Sequence, residues 1–527
     1  MMIGQLEIQR QALQAQLDGQ KTKEERNIMG QFSTPSSLAI DILKHANNLL
    51  PKHGKIRFLD PAFGTGSFYS ALITVFPENR IEAATGFEID EHYGAPTKKL
   101  WGGTILNYKI ADFTKQTPPD EDEKYNLIIC NPPYVRHHHL NGQKVRLQAK
   151  ALESAKMKLS GLSGLYCYFM ALAHPWMKNN GIAGWLVPSE FMDVNYGQAV
   201  KDYLLHEVTL LQIHRFDPSD VQFNDALVSS AIVWFKKKKP SKNHKVRFTY
   251  GGTIDNPRYE KDVSLYTLST ENKWTRFPLF GKREQINAPI LSDFFTIKRG
   301  IATGDNKFFI LTLEQIEHRG LPLDQFRPIL PSPRCLKVTE VNADKNGFPA
   351  IDNQLFVLDC RLPLDEVKHL YPKLYEYLKE GIQSGVSERY LCQNRKIWYS
   401  QENRPSSRFY CTYIGRTDKN GKKPFRFILN RTQAIVTNSY LILYPKPHLE
   451  KKIEQHEELS ERLIEALNNI TGRALLDEGR VYGGGMHKLE PKELANVSAA
   501  EIGNILKESP NEVLHSDGNS ATLHCRR

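Results

Sequence analysis

Four residues at the end of an apolar run combine an amide, two prolines and an aromatic ring. Asn131-Pro132-Pro133-Tyr134 directly follows residues 127–130, Leu-Ile-Ile-Cys, which have the composition of a buried strand. Proline lacks an N–H donor and has a fixed φ, so two prolines in a row end the strand. The segment could be only a rigid turn, but an amide and a ring held at a strand end favour a chemical role.

The residues that follow raise the question of a metal site. Arg136 and three consecutive histidines, His137–His139, continue the same segment. Consecutive histidines without nearby carboxylate or cysteine partners lack the spacing of zinc ligands. The seven cysteines of the chain are scattered and contain no CxxC pair, which predicts neither a zinc site nor a disulfide framework. We therefore expect no metal.

A glycine-bearing turn and three acids form a second chemical group. Asp60 ends one predicted strand, and Gly64 and Gly66 follow in the turn "DPAFGTG"; Glu88 and Asp112 end the next two predicted strands. Such glycines let a backbone approach a ligand closely, and strand-end acids can bind ribose hydroxyls or a base amino group. The acids could also be solvated loop carboxylates. Too few glycines are present to wrap a pyrophosphate, which favours a nucleoside cofactor without phosphates over NAD.

These residues need strands whose carboxyl ends lie side by side. Apolar runs predict strands at 55–60, 81–90, 105–113, 125–130, 181–188, 209–216 and 228–235, with helices at 67–76 and 164–178. Strands that alternate with helices form a mostly parallel sheet covered on both faces. The predicted fold class is therefore α/β, with a doubly wound mostly parallel sheet. Beyond 240 the prolines and polar loops predict a second, mixed domain.

Composition restricts the partners. The 527 residues carry a net charge of +11, which favours a polyanionic partner such as nucleic acid. No apolar run is long enough for a transmembrane helix, and the polar N-terminus lacks the apolar core of a secretory signal. We expect a cytoplasmic protein that binds no membrane.

The motifs resemble those of one enzyme family. "DPAFGTG", "GFEID", "ADF" and "NPPY" occur in the order found in the gamma-class (TaqI-like) N6-adenine DNA methyltransferases of type II restriction–modification systems. The upstream segment "GQFSTPSSLAIDIL" (30–43) resembles the first cofactor motif of that class. The resemblance is strong over 30–235 and looser beyond, where 297–311 and 480–494 resemble segments of recognition domains.

The resemblance implies a Rossmann-like methyltransferase fold and S-adenosylmethionine (SAM) as the methyl donor. The residues of this chain that it places at the cofactor site are Thr34, Asp60, Ala62, Gly64, Gly66, Glu88, Asp112 and Pro133.

The resemblance also implies the catalytic group. The Asn131 side-chain oxygen and the Pro132 carbonyl would accept hydrogen bonds from an adenine amino group. Tyr134 would stack on the base flipped out of the duplex, and Phe223 would form the second wall of the pocket. Arg136 and the histidines could touch phosphates around this base or lie exposed, and the sequence leaves both open.

Four segments are predicted along the chain. They are an N-terminal helical arm (1–29), a catalytic domain (30–240), a C-terminal mixed α+β target-recognition domain (241–500) and a flexible tail (501–527). Basic and aromatic residues alternate over 395–427, and we expect that segment to contact DNA grooves and phosphates.

The expected activity is methylation of N6 of adenine in double-stranded DNA, by a monomer. It would protect host DNA from a cognate restriction endonuclease, a functional and not necessarily physical partner. An RNA adenine or protein glutamine methyltransferase with the same NPPY motif is the first alternative. A non-catalytic DNA-binding subunit is the second. The arm before the first motif is too short for a fused nuclease domain.

Overall fold

The chain divides into two compact units. A computed structural model describes residues 2–140, 142–217, 230–279, 289–416, 423–482 and 486–507. The first unit comprises Met1–Gln285 with Tyr482–Gly484, and the second comprises Ile286–Val481 with Gly485–Arg527. Within the described ranges, no helix combines the length and apolar content needed to cross a bilayer.

The first unit is built on a nine-stranded sheet of order β3-β2-β1-β4-β5-β7-β6-β8-β9. Its first five strands are mutually parallel, β6 and β8 are also parallel, and the pairings β5–β7, β7–β6 and β8–β9 are antiparallel. The strands are β1 (Ile56–Asp60), β2 (Ile81–Glu88), β3 (Leu106–Ile110), β4 (Tyr125–Cys130), β5 (Met177–Pro188), β6 (Thr209–Arg215), β7 (Ser230–Lys236), β8 (Lys245–Gly252) and β9 (Pro257–Ser264).

Helices cover both faces of this sheet. They are α1 (Met2–Gly19), α2 (Lys23–Met29), α3 (Ser36–Leu49), α4 (Ser67–Val75), α5 (Glu91–Trp101), α6 (Lys144–Ala155), α7 (Leu165–Ala173), α8 (Gln198–His206) and α9 (Leu265–Thr270). α3 and α4 contribute to one apolar core, whereas α6, α7 and α8 contribute to the other. The predicted doubly wound, mostly parallel sheet is thus confirmed.

β4 shows why its sequence forms a central strand. Leu127 and Ile129 pack into the core on one face, while Ile128 and Cys130 pack into the core on the other. All four side chains are fully buried, because successive residues of a strand point to opposite faces. Each buried Leu or Ile side chain contributes roughly 1.5–3 kcal/mol, so the strand that ends in the NPPY segment is firmly held.

The first unit extends past the predicted domain boundary at 240. β8 and β9 join the large sheet through the parallel pairing of Gln212 with Arg247, and the unit continues to Gln285. The lysine-rich segment after β7 therefore connects two strands of one sheet rather than two domains. β8 is only partly buried on both faces, and its sequence alternates few apolar residues with polar ones. The apolar pattern was therefore too weak to predict this strand.

The second unit combines three smaller sheets with helices, as the predicted mixed α+β domain requires. The sheets have the orders β10-β18-β15-β17-β13, β11-β14-β12 and β16-β20-β19. Their strands are β10 (Phe295–Arg299), β11 (Ile310–Thr312), β12 (Phe326–Ile329), β13 (Glu340–Val341), β14 (Leu355–Leu358), β15 (Phe409–Thr412), β16 (Ile414–Arg416), β17 (Phe427–Asn430), β18 (Tyr440–Pro445), β19 (Arg480–Tyr482) and β20 (Met486–Lys488).

The helices of the second unit are mostly short. They are α10 (Leu291–Phe294), α11 (Asn306–Phe309), α12 (Leu313–His318), α13 (Leu364–Leu370), α14 (Pro372–Gln383), α15 (Tyr390–Gln393), α16 (Pro447–Gln455), α17 (Leu459–Asn469), α18 (Gly472–Glu478), α19 (Pro491–Ala495) and α20 (Ala500–Ile505). α20 occupies the start of the predicted C-terminal tail, and the rest of that tail, from 508 on, lies outside the described residues.

Candidate active site

The strand order brings the two motif-bearing strands together. β1 and β4 are neighbours at the point where the order of the parallel sheet reverses, and Phe58 and Leu59 pair with Leu127 and Ile128. Asp60 ends β1, and Asn131 follows β4 directly. Ligands of open α/β sheets bind at such a switch point, outside the carboxyl ends of the strands.

The Asn131 amide is held by the segment upstream of α3. Its Nδ2 donates to the Phe32 carbonyl at 3.0 Å and to the Thr34 hydroxyl at 3.1 Å. Since a carbonyl can only accept, this bond fixes which end of the amide is the nitrogen. Oδ1 is shielded from solvent and has no hydrogen-bond partner in the protein. The site therefore presents one oriented, unused acceptor.

Tyr134 is held both at its side-chain hydroxyl and at its backbone. Its hydroxyl donates to the Leu186 carbonyl at 3.2 Å, and burial raises the pKa of this phenol. Its backbone N–H donates to the Gly30 carbonyl at 3.1 Å. The Phe32 ring lies 5.6 Å away, centroid to centroid, at 39°. The ring of Tyr134, which is partly exposed, is therefore a rigid aromatic surface beside the Asn131 amide.

The glycine turn between β1 and α4 lies next to the end of β2. Gly64 (φ 55°) and Gly66 (φ 91°) both have left-handed backbones, which side chains disfavour. A Cβ on Gly66 would lie 2.6 Å from the Phe63 ring, whereas one on Gly64 would meet nothing within 4 Å. The Phe63 N–H donates to the Phe87 carbonyl at 2.8 Å. Gly66 is thus required for packing, and Gly64 borders open space.

Two acids of this site have raised pKa values. Burial, and the nearby charge of Glu88, raise the pKa of Asp60 to about 8, against a hydrogen bond from the Ala62 N–H at 3.1 Å. Burial also raises the pKa of Glu88, whose carboxylate accepts from the N–H groups of Gly64 at 3.0 Å and Asp90 at 2.8 Å. Paired buried acids with raised pKa values are typical of functional sites.

The remaining predicted cofactor residues lie at the same edge of the sheet. β3 ends at Ile110, two residues before Asp112, which caps the following turn by accepting from the Thr114 N–H at 2.9 Å. Ala62, which follows Asp60 by two residues, and Pro133, which directly precedes Tyr134, are both partly buried. Thr34 is 6% exposed, and its described contact is with Asn131.

Two predictions fall at the limits of what is described. Phe223, predicted as the second wall of the pocket, lies outside the described residues. His137–His139 form a single 3₁₀ turn, and no group of three or more His, Cys, Asp or Glu in the described part of the chain is arranged to hold a metal.

Sequence reasoning missed three residues that border the site. Gly30 has φ 64° and its Cβ would lie 2.4 Å from the Tyr134 nitrogen, so it permits a close backbone crossing. The Phe32 carbonyl orients Asn131. Ile89 is 57% exposed although it follows a buried strand. The available signal for Ile89 was its position as an apolar residue between two acids. No local pattern could reveal the contact between Phe32 and Asn131, which are about 100 positions apart in the chain.

Some basic and aromatic side chains of the segment 395–427 make contacts within the second unit, whereas Lys396, Arg416 and Lys423 are exposed and residues 417–422 lie outside the described residues. Arg395 donates to the carbonyls of Ala302 and Thr303, at 2.6 and 2.9 Å. Arg426 donates to three carbonyls of the segment 333–337. Tyr410 is fully buried. These two guanidinium groups and the buried ring stabilise the second unit from within, and contact of the exposed cationic residues of the segment with DNA stays a prediction.

The site residues fit a nucleoside cofactor with a positively charged donor group. Asp60 and Glu88 supply carboxylates at adjacent strand ends, and Gly64 leaves space for a ligand. The unused Asn131 oxygen can accept from an amino group. The Rossmann-like fold, with a second domain C-terminal to it, and the arrangement of these residues match the expectation for a SAM-dependent methyltransferase.

Two family models match consecutive parts of the chain. One, described as "Eco57I restriction-modification methylase", matches residues 78–222. The other, described as "Type II methyltransferase M.Eco57I, C-terminal domain", matches residues 277–520. The first match contains the NPPY segment, and the second covers most of the second unit.

Two curated type II methyltransferases are similar to this chain over most of its length. Type II methyltransferase M.AccI of Acinetobacter calcoaceticus is 25% identical over 93% of this chain and 89% of its own length. Type II methyltransferase M.XamI of Xanthomonas campestris pv. amaranthicola is 25% identical over 85% and 81%. The type IIL restriction–modification enzyme MmeI, solved in complex with DNA, shares the fold at a TM-score of 0.53 and 14% identity, over 92% of this chain and 69% of its own. The chain is thus similar along most of its length to type II restriction–modification methyltransferases.

Proposed function

We propose that this chain transfers a methyl group from SAM to N6 of adenine in double-stranded DNA. It would do so as a gamma-class modification enzyme that acts in the cytoplasm as a monomer and protects host DNA from a cognate endonuclease. The observation that carries the proposal is the unpaired Oδ1 of Asn131. Because Nδ2 is occupied by Phe32 and Thr34, the oxygen is oriented to accept from a substrate N–H.

An amino group is the substrate for which this arrangement has a chemical use. The N6 lone pair of adenine is delocalised into the ring, so the amine is a weak nucleophile. Acceptors at Asn131 Oδ1 and the Pro132 carbonyl would draw the nitrogen toward tetrahedral geometry and localise the lone pair. Preorganised dipoles of this kind need little reorganisation during reaction. Bound SAM supplies an electrophilic methyl group on a sulfonium, and Asp60, Glu88 and the glycine turn would hold it.

Tyr134 is suited to hold a base outside the duplex. Flipping a base costs a few kcal/mol, and stacking on an aromatic ring recovers about 1–3 kcal/mol. The ring is already fixed by Leu186 and Phe32, so little conformational entropy is lost when a base stacks on it. MmeI was solved in complex with DNA, which supports DNA as the partner of this chain.

A glutamine side chain also has an amide N–H₂ that could reach Asn131 Oδ1, and adenine in RNA has the same N6. The experiment therefore offers purified full-length chain and tritiated SAM to duplex DNA, the same DNA denatured, total RNA and a protein extract. Labelled products are digested and separated as nucleosides or amino acids. We expect N6-methyldeoxyadenosine from duplex DNA. Label confined to RNA, protein or cytosine would overturn the proposal.

A further inference from the structure

One arginine of the N-terminal arm is buried between the two segments that form the candidate site. Arg10 of α1 is 3% exposed. Its guanidinium donates to the Glu7 carboxylate at 2.7 Å, to the Ser36 hydroxyl at 2.9 Å and to the Thr65 hydroxyl at 3.1 Å. Thr65 lies between Gly64 and Gly66 in the glycine turn. Ser36 lies two residues after Thr34.

The hydrogen bonds around Arg10 form a closed polar network. Gln14, one turn further along α1, accepts from the Thr65 hydroxyl at 2.6 Å. Ser36 donates to Glu7. Burial disfavours the ionised form of Glu7, but hydrogen bonds from Arg10 and Ser36 outweigh it and lower the pKa of Glu7 to about 2. The ion pair is therefore present at any pH at which the protein would be assayed.

The arm has a second attachment at the other acidic loop of the site. Lys21, after α1, forms an ion pair with Asp90, two residues after Glu88. Gln31 donates to the same carboxylate at 2.7 Å, and it directly precedes Phe32, whose carbonyl holds Asn131. Both cofactor loops are thus tied through the arm to the segment that orients the catalytic amide.

The stability of the fold does not by itself require a buried ion pair between Arg10 and Glu7. A buried ion pair often contributes no more stability than well-packed apolar residues would. A guanidinium differs in its planar, rigid set of donors, which fixes the relative position of the groups it bonds. Here those groups are the Thr65 hydroxyl in the glycine turn and the Ser36 hydroxyl beside Thr34.

We propose that Arg10 is a positioning residue, which sets the glycine turn against the segment 30–36 so that the cofactor site and Asn131 have a fixed separation. This inference rests on the proposed function, because it takes the glycine turn to bind SAM. Arg10 touches no reacting atom and acts through Thr65 and Ser36.

The test compares Arg10→Met with a matched control, Arg80→Met, in the full-length chain. Arg80 also makes three hydrogen bonds, to Gly54, Asn47 and Pro51, at the opposite end of the sheet. We expect both variants to lower the Tm, but only Arg10→Met to raise the Kd for SAM, by about tenfold or more, as expected for lost charge-assisted hydrogen bonds. Arg10→Lys should recover part of the affinity.

A second variant covers the case in which Arg10→Met does not fold. Thr65→Val removes the hydroxyl that Arg10 and Gln14 bind while keeping the side-chain shape, and it should raise the Kd for SAM by a smaller factor. Equal Kd values for wild type, Arg10→Met and Thr65→Val would overturn the inference, as would an equal loss in Arg80→Met. Failure of the wild-type chain to bind SAM would instead overturn the proposed function.

Discussion

At the scale of single residues, the Asn131 amide uses only half of its hydrogen-bonding capacity within the protein. The Asn131 nitrogen makes two hydrogen bonds and its oxygen makes none. Asp60, with 1% of its surface exposed, accepts from the Ala62 N–H and is hydrogen-bonded to the Cys130 thiol. An unpaired buried polar group costs free energy, and the proposed substrate amine would supply the missing donor to the Asn131 oxygen.

Replacing Asn131 with Ala should strongly reduce methyl transfer while SAM still binds. The change removes the acceptor that would polarise the substrate amine, and loss of one such preorganised group costs about 10²–10³ in kcat. Single-turnover assays with tritiated SAM measure the rate, and calorimetry measures the Kd for SAM. The matched control is Asn126→Ala at the start of the same strand, where the amide bonds Lys55 and Arg57 instead. Equal activity of the two variants would contradict the role of Asn131.

SAM binding should release a proton from Asp60. Its pKa of about 8 leaves the carboxyl mostly protonated at pH 7, and the positive charge of SAM favours the ionised form. In the folded protein, burial raises the pKa of Asp60 above 3.8, the ordinary value of an aspartate. Folding therefore takes up a proton, and this residue's contribution to stability falls as pH rises from about 4 to 8.

Calorimetry at pH 7 in two buffers of different ionisation enthalpy measures the proton count directly. We expect release of up to about one proton per SAM bound, and loss of this buffer dependence in Asp60→Asn. Identical binding enthalpies in both buffers for the wild-type chain would show that Asp60 keeps its proton or is not at the cofactor site.

At the scale of elements, loops rather than helices or strands make the site. The segment 30–36 crosses the NPPY segment so closely that backbone meets backbone, with the Gly30 carbonyl accepting from the Tyr134 N–H at 3.1 Å. α2 ends at Gly30, whose left-handed conformation closes the helix and turns the chain toward β4. The rigid prolines on one side and this glycine on the other set the position of the Asn131 amide.

Gly30→Ala should reduce kcat by about tenfold or more, since small displacements of catalytic groups have effects of this size. A Cβ there would lie 2.4 Å from the Tyr134 nitrogen, and the alanine backbone would have to adopt φ 64°. Methyl transfer at saturating SAM and DNA gives kcat. Gly19→Ala is the control, because a Cβ at the end of α1 meets nothing within 4 Å. Unchanged kcat in Gly30→Ala would mean that the crossing does not position the amide.

At the scale of the whole molecule, the chain has two units, each with its own apolar cores. Every described residue of the candidate site belongs to the first unit, whose sheet of nine strands has apolar cores on both faces. The second unit has its own cores. Several of its basic side chains, such as Arg395 and Arg426, donate to carbonyl groups of that unit, so the proposed contacts with DNA would use exposed cationic residues.

DNA affinity should fall steeply as salt rises, since the chain carries a net charge of +11. Each neutralised phosphate releases counterions, and a protein with 6–10 phosphate contacts loses about 10³–10⁵ in affinity between 50 and 200 mM salt. Fluorescence anisotropy with a labelled duplex measures this slope, and the Kd for SAM over the same range is the control. A flat response for DNA would contradict an electrostatic interface.

Local sequence was enough to predict the strands that carry the motifs. β1, β2 and β4 end within two residues of the predicted positions, because apolar runs stop at Asp60, Glu88 and Asn131. The boundary at 240 was misplaced, since a run of lysines resembles a linker whether or not a further strand follows. The internal roles of Arg395 and Arg426 were also missed, because charge alone does not show where a guanidinium points.

The sequence by itself determined the order of the motifs, the α/β class and the residue types that could bind a cofactor and an amine. Only the tertiary structure decided which of them meet. The order of strands in the sheet places Asp60 beside Asn131, about 70 positions apart in the chain. Arg10 joins Thr65 and Ser36, and Asn131 keeps one unused oxygen. Such contacts depend on chain crossings between distant segments, and short-range patterns of polarity carry no information about them.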